Sequence, residues 1–252
     1  MATPLKSARS SARASPKSTK PRDLAPFSGR LLPGLELDAF VCGEVEAWCH
    51  GQSLGALVGI DEAGRGPLAG PVVVAAVALP YPCSIPGIND SKQLTEEERE
   101  ALFDPICALA LGVGLSVVEH DVIDDMNILR ASLYGMALAY KQLVATAPTL
   151  RSALVLIDGK DRAPLARNVA QRPIVKGDAR SLNIAAASIL AKVARDRIMR
   201  LAHVDYPEYG FDQHKGYSTP THRAAVEKHG LSPIHRRSFT MPGHTAVRDY
   251  ST

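Results

Sequence analysis

No stretch of this 252-residue chain approaches the ~18 consecutive apolar residues that a membrane-crossing helix needs. Val72 to Leu79, among the longest apolar runs, reads instead as a buried strand. The start of the chain lacks the apolar core of a secretory signal. The four cysteines (Cys42, Cys49, Cys83, Cys107) form no C-x-x-C, and no histidine pair stands at zinc-finger spacing. They therefore read as reduced, structural thiols of a cytoplasmic protein, and a Cys42–Cys49 disulfide has little support. The phosphate-binding G-x-x-x-x-G-K-[ST], the hydrolase G-x-S-x-G and the zinc-peptidase H-E-x-x-H are all missing, and with them the chemistries they carry. No internal repeat is present. What remains, at 46% hydrophobic and 22% charged residues, has the composition of a soluble globular protein with one well-buried core or one domain plus appendages.

Charge is unevenly spread. The net charge is +3, yet residues 1–30 alone carry seven basic side chains against one acid, Asp23. Residues 195–252 carry nine basic and six acidic side chains, so the middle of the chain is acidic. An acidic centre between basic ends suits a carboxylate site flanked by surfaces that hold phosphates. Residues 1–30, rich in Ser, Ala, Pro, Lys and Arg, have no apolar periodicity and are expected to be disordered. Such a start also fits an organellar transit peptide; a basic tail on a cytoplasmic protein is the preferred reading.

The spacing predicts helices over Leu35 to His50, Thr95 to Leu111, Asn127 to Ala145, Leu182 to Leu201 and Thr219 to His229. Thr95 with Glu98 makes a capping box, and Gly230 closes the last helix. Strands are expected at Ala56 to Ile60, Val72 to Leu79, Gly114 to Glu119, Ala153 to Ile157 and Pro173 to Val175. Strands first, then strands alternating with helices, imply an α/β domain with a mixed sheet.

Three of those strands run out into acids: Ile60 into Asp61 and Glu62, Ile157 into Asp158, Val175 into Asp178. Sites in open α/β sheets collect at the carboxyl ends of strands. Four carboxylates gathered there would repel and raise one another's pKa, and hard divalent cations relieve that conflict. Taken singly, each acid reads as a cap or turn residue, and Asp158-Gly159 is a common turn dipeptide. Taken jointly, the metal site is the favoured reading. Gly64-Arg65-Gly66 beside the first pair lets a backbone approach a ligand closely. The small Ala185-Ala-Ala-Ser188 run lets a helix pack tightly, and Ser188 reads as a packing residue. Ser91, Lys92 and Lys215 lie in polar, loop-like stretches suited to backbone phosphates. His235, Arg236 and Arg237 form a small basic cluster that contacts phosphate or, in the case of His235, fills a core position.

Five motifs in order carry a resemblance. They are Gly59-Ile-Asp-Glu-Ala-Gly-Arg-Gly-Pro67, Asn89-Asp-Ser-Lys-Gln-Leu94 and Leu156-Ile-Asp-Gly159, followed by two composite motifs. Lys176-Gly-Asp178 comes with Ile184-Ala-Ala-Ala-Ser-Ile189 and Ala191-Lys-Val193, and His214-Lys-Gly-Tyr217 with Pro233-Ile-His-Arg-Arg-Ser-Phe239. Over about residues 55–240 the chain resembles the ribonuclease HII (type 2 ribonuclease H) family. The resemblance implies an RNase H-like fold: a central mixed β-sheet flanked by helices, with a small C-terminal helical region. It implies residues 51–240 as the catalytic domain, 1–50 as an N-terminal extension and 241–252 as a tail. Asp61, Glu62, Asp158 and Asp178 would be the catalytic, metal-binding acids, working with Mn²⁺ or Mg²⁺. Gly64, Arg65 and Gly66 would read the ribose 2′-hydroxyl, Tyr217 would pack on the sugar at an RNA–DNA junction, and Asn89, Ser91, Lys92 and Lys215 would hold substrate. The expected partners are RNA/DNA hybrid and ribonucleotide-containing duplex DNA, the expected protein a cytoplasmic monomer without membrane contact. Two other readings are a DNA nuclease of the same fold and a non-catalytic duplex binder.

Overall fold

The computed structural model describes residues 42–88 and 91–240. The residues 1–41 and 241–252, with the predicted disordered start and the first part of the predicted Leu35–His50 helix, lie outside that range, as does Asn89. Five strands form one sheet: β1 (Leu57–Ala63), β2 (Val72–Ala78), β3 (Gly112–Val118), β4 (Leu154–Asp158) and β5 (Gln171–Ile174). Their order is β3-β2-β1-β4-β5. β1 pairs antiparallel with β2 and β2 with β3, whereas β1–β4 and β4–β5 are parallel.

Every residue of β2 (VVVAAVA) is buried, as an apolar run without alternation requires. Its two faces nevertheless go to different cores. Val72, Val74, Ala76 and Ala78 join Val58, Ile60 and Ile157 in a cluster with Ala139, Tyr140 and Leu143 of helix α4 (Ile128–Thr146). Ala75 and Val77 join a second cluster with Ala185, Ala186, Ala187, Ile189 and Leu190 of helix α5 (Leu182–Asp205). Strand period 2 thus sorts one apolar run between two helix layers. The small residues at the start of α5 let it lie against β1: a Cβ on Gly59 would stand 2.1 Å from the Asn183 carbonyl carbon.

The remaining helices are α1 (Glu44–Gly51), α2 (Glu96–Leu109), α3 (His120–Met126), α6 (Phe211–His214) and α7 (Pro220–His229). The predicted capping box is formed: the Glu98 amide donates to Thr95 Oγ1 (3.2 Å) and the Thr95 amide to Glu98 Oε2 (2.7 Å). Asn127 caps α4 by accepting from the Arg130 amide at 3.1 Å. Helix α3 was not predicted, because its sequence HDVIDDM buries only Ile123 and so lacks a periodic apolar face. β3 starts at Gly112, two residues before the expected Gly114, because Gly112 still pairs with Ala78.

Helix α1 falls in the stretch read as an extension, yet it is tied to the start of α5. The buried Glu46 Oε1 accepts from Ser181 Oγ (2.5 Å), the Asn183 amide (3.1 Å) and Asn183 Nδ2 (2.9 Å). The four cysteines form no disulfide. Cys49, buried beside Glu46, has its thiol pushed up to about 12, by burial first and the carboxylate second. No helix among the described residues is long and apolar enough to cross a membrane.

Candidate active site

Asp61 and Glu62 lie inside β1, opposite Ala75 and Val74, and not past its end as the sequence suggested. The antiparallel partner extends the strand by three residues beyond the apolar run. β1 and β4 are parallel with Ile60 opposite Ile157, so one further step along each sets Asp61 beside Asp158. The chain then leaves β5, passes Lys176 in the left-handed region (φ 54°) and enters a short 3₁₀ turn, Gly177–Ala179, carrying Asp178. The Gly177 amide donates to Asp158 Oδ1 at 2.7 Å, which fixes this turn against β4. The four predicted acids thus converge from three segments at the carboxyl end of the parallel pair.

Their electrostatics carry the signature of that convergence. Burial pushes the Asp61 carboxyl well above its usual range, and the Glu62 and Asp158 charges add to it; the Ser188 hydroxyl opposes by hydrogen bonding. Burial raises Glu62 as well, against the nearby Arg65 guanidinium. Asp158 is raised by burial and then by Asp178. Two cations lean on the cluster: Arg65 Nη1 on Glu62 Oε1 (3.2 Å) and Lys92 Nζ on Asp178 Oδ2 (2.7 Å). As they stand, no three His, Cys, Asp or Glu side chains among the described residues are gathered tightly enough to hold a metal ion. The chemistry of the group nevertheless fits one. Its donors are all oxygens, its charges conflict, and Glu62 Oε2 is buried without a hydrogen-bond partner. A buried, unpaired carboxylate oxygen is costly, and a hard divalent cation satisfies it.

The loop from Gly64 to Pro71 is built on two fully buried arginines. Arg236 donates to the carbonyls of Gly64 (2.6 Å), Arg65 (3.0 Å), Pro67 (2.8 Å), Gly70 (2.9 Å) and Pro71 (3.2 Å). Arg195 donates to those of Pro71 (2.9 Å), Lys215 (2.9 Å) and Ala69 (3.1 Å). Carbonyl dipoles take the place of counter-ions here. Burial and the Arg195 charge bring Arg236 down to about 9. Gly64 is required by this scaffold: its φ is +101° and a Cβ would stand 2.1 Å from Arg195 Nε. Gly66 is not, since the nearest atom to a Cβ there is Tyr217 Cε1 at 3.9 Å.

Tyr217 is 42% exposed, its ring 5.8 Å from the Arg195 guanidinium and 5.9 Å from Lys192 Nζ. Its Cε1 is the nearest atom to a Cβ on Gly66, so the two face each other across the loop. Ser91 and Lys215 depart from prediction. Ser91 is buried with its hydroxyl on Ser188 Oγ at 2.8 Å. Lys215 is buried too, its ammonium donating to the Asp212 carbonyl and 3.7 Å from Glu96. Neither presents a free group to a phosphate; Lys92 keeps an exposed side chain, with its ammonium paired to Asp178. Ser188 is more than a packing residue, since it bonds the Asp61 carboxyl. Arg236 braces the loop and His235 fills the core, so neither meets solvent. Arg195 was not foreseen; its only sequence signal was a cation on the otherwise apolar face of a predicted helix.

A five-stranded mixed sheet with clustered carboxylates at the end of its central parallel pair defines a nuclease of the RNase H-like fold. The sequence pattern of the family described as Ribonuclease HII matches residues 58–241. A ribonuclease HII of Acetivibrio thermocellus is 51% identical over 197 residues, 78% of this chain and 73% of that protein. The crystal structure of ribonuclease H2 from Pyrococcus horikoshii superposes with a TM-score of 0.57 at 29% identity, covering 73% of this chain and 94% of the other. Bst-RNase HIII, solved in complex with Mn²⁺, shares the fold at a TM-score of 0.59 and 19% identity, covering 71% and 65%. The chain belongs to the ribonuclease HII family, whose members are divalent-metal-dependent endoribonucleases that cleave the RNA of RNA/DNA hybrids.

Proposed function

We propose that this endoribonuclease, besides cutting hybrids, incises duplex DNA on the 5′ side of a single embedded ribonucleotide, leaving a 3′-hydroxyl and a 5′-phosphate. The reading rests on one juxtaposition: an oxygen-only acid cluster stands beside a loop whose Gly66 has no packing reason to lack a side chain. At one nucleotide, RNA differs from DNA by a 2′-hydroxyl that both donates and accepts. With the carbonyls of Gly64, Arg65 and Pro67 turned inward to Arg236, and the Leu68 and Gly70 amides bonded to the Gly216 and Ile234 carbonyls, the amides of Arg65 and Gly66 are the candidate donors. The Gly66 carbonyl, not among those Arg236 takes, is the candidate acceptor. The exposed Tyr217 ring, facing Gly66, would pack on the adjoining sugar, and close packing there would favour a deoxyribose.

Asp61, Glu62, Asp158 and Asp178 would hold two Mg²⁺ or Mn²⁺ ions, which when bound supply an activated water and stabilise the charge of the departing 3′-oxygen. The chain's own groups prepare that site. Ser188 and the Gly177 amide hold the Asp61 and Asp158 carboxylates in place by donating to them. Lys92 and Arg65 neutralise the cluster and, being exposed, are able to exchange a carboxylate for a substrate phosphate. The Lys- and Arg-rich residues 1–30 would add sequence-independent phosphate contacts.

The test is a gel assay on duplex DNA carrying one labelled ribonucleotide, with Mg²⁺, Mn²⁺ or chelator, beside an all-DNA duplex. A metal-dependent cut 5′ to the ribonucleotide, absent from the all-DNA duplex, is expected. Equal cutting of both duplexes, or of neither, overturns the reading.

A further inference from the structure

Three histidines stack beneath the Tyr217 segment. The His214 and His222 rings lie 4.4 Å apart at 16°, and His222 and His235 lie 5.1 Å apart at 38°. Phe211 meets His222 edge-on at 5.5 Å, and Tyr209 closes on His235 at 5.2 Å. His222 and His235 are fully buried.

Backbone amides, which only donate, fix the proton on each ring. The Ser232 amide donates to His235 Nδ1 at 2.9 Å, so the His235 proton sits on Nε2. That nitrogen is 3.0 Å from His222 Nε2, which must then accept, placing the His222 proton on Nδ1. His222 Nδ1 in turn donates to the Tyr217 carbonyl at 2.9 Å. The Gly216 amide donates to His214 Nδ1 (3.2 Å), and His214 Nε2 donates to the Tyr209 carbonyl (2.7 Å). All three imidazoles are neutral, and between them they hold the backbone on both sides of the Tyr217 amide. The same segment is bonded to the substrate-facing loop, because the Leu68 amide donates to the Gly216 carbonyl at 2.8 Å.

We propose that His222 and His235 are positioning residues for Tyr217, holding its ring opposite Gly66 only while both imidazoles are neutral, so that junction reading has an acid limit separate from that of the catalytic carboxylates. This rests on the reading of Tyr217 given above. A proton added to His235 Nδ1 would oppose the Ser232 amide, and one added to His222 Nε2 would oppose the His235 N–H. Either breaks the chain that ends on the Tyr217 carbonyl. The groups that act on the pair from neighbouring elements are His214 of α6 and His120 of α3, both of which push its pKa down. Asp212 and Lys215 act on His214, and Glu208 on Tyr209. Burial is the largest cause for each of the pair.

The experiment reads the ratio of cleavage rates on a single-ribonucleotide duplex and a uniform RNA/DNA hybrid, from pH 8 to pH 5, since the ratio cancels titration of the shared acids. His222→Leu, which removes the donor to Tyr217, should lower the ratio about ten-fold at pH 8, the size of one lost buried hydrogen bond, and leave the hybrid rate near normal. His222→Asn, whose amide replaces the donor without titrating, should keep the ratio and flatten its acid decline. Should His222→Leu not fold, His222→Asn decides through its pH profile. An equal loss on both substrates, an unchanged ratio in His222→Leu, or an acid decline in His222→Asn as steep as that of the parent overturns the proposal. Nitrogen NMR of ¹⁵N-histidine protein should place protons on His222 Nδ1 and His235 Nε2; other tautomers overturn it as well. Tyr217→Ala separates the two layers. If Tyr217→Ala leaves the ratio unchanged, the junction reading itself falls and the proposal with it; if it lowers the ratio but His222→Leu does not, only the positioning role falls.

Discussion

Replacing Arg236 by methionine tests the account of the loop most sharply. The stem is matched in length and apolar character, so the change removes the guanidinium and little packing. The carbonyls of Gly64, Pro67 and Gly70 then lose their buried donor, while Pro71 keeps Arg195 and Arg65 lies nearer solvent. Each buried unsatisfied acceptor costs about 1–3 kcal/mol, so the three together cost on the order of 5 kcal/mol, partly offset because a buried charge also disappears. That is a large share of the ~5–15 kcal/mol of a whole domain, and at ~2–4 °C per kcal/mol it lowers Tm by about 10–20 °C. Differential scanning calorimetry with chelator present gives the number. Amide exchange in the Gly64–Pro71 segment should accelerate more than in β2, because the loop loses its anchor and the strand does not. A Tm within about 3 °C of the parent, with unchanged exchange in the loop, would refute the claim that carbonyl–guanidinium bonds hold it.

Other outcomes follow from the same contacts. Gly64→Ala should be strongly destabilising, since it meets both a positive φ and Arg195, whereas Gly66→Val should melt normally and lose substrate affinity; calorimetry and a binding titration separate the two. Asp61→Asn should abolish cleavage yet raise Tm in chelator at pH 7. The Asp61 pKa is raised in the fold, so its charged form destabilises the fold at neutral pH and ceases to do so once acid protonates it. Divalent metal should stabilise the parent and much less the variant. His235, brought down from 6.5 to about 4, contributes stability that is complete above 6.5 and is lost as pH falls from there toward 4, on the order of 3 kcal/mol in all. The stability gap between the parent and His235→Asn in urea should therefore narrow between pH 7 and pH 4.5.

How much of this was legible varies with how local the signal was. The capping box at Thr95, the closely packed start of α5 and the four acids were readable because each depends on neighbours in sequence. The strand ends were misjudged at β1, where pairing with Val73 to Ala75 carries the strand through two charged residues. Ser91 and Lys215 looked like surface groups because polar composition cannot reveal that Ser188 and the Asp212 carbonyl will receive them. Arg195, Arg236 and the histidine stack were invisible as a unit. Their partners are backbone carbonyls and amides, which leave no trace in side-chain identity.

Arg236 is separated from the carbonyls it holds by 165–172 residues. During synthesis the Gly64–Pro71 segment emerges early, but its Arg236 anchor follows only when nearly the whole catalytic region has left the ribosome. A chain interrupted after Asp178 but before Arg236 would own all four acids of the cluster without the arginine that holds the neighbouring loop. The contacts that hold the loop proposed to read the ribose are thereby among the most sequence-distant in the chain, and they wait on the end of the catalytic region.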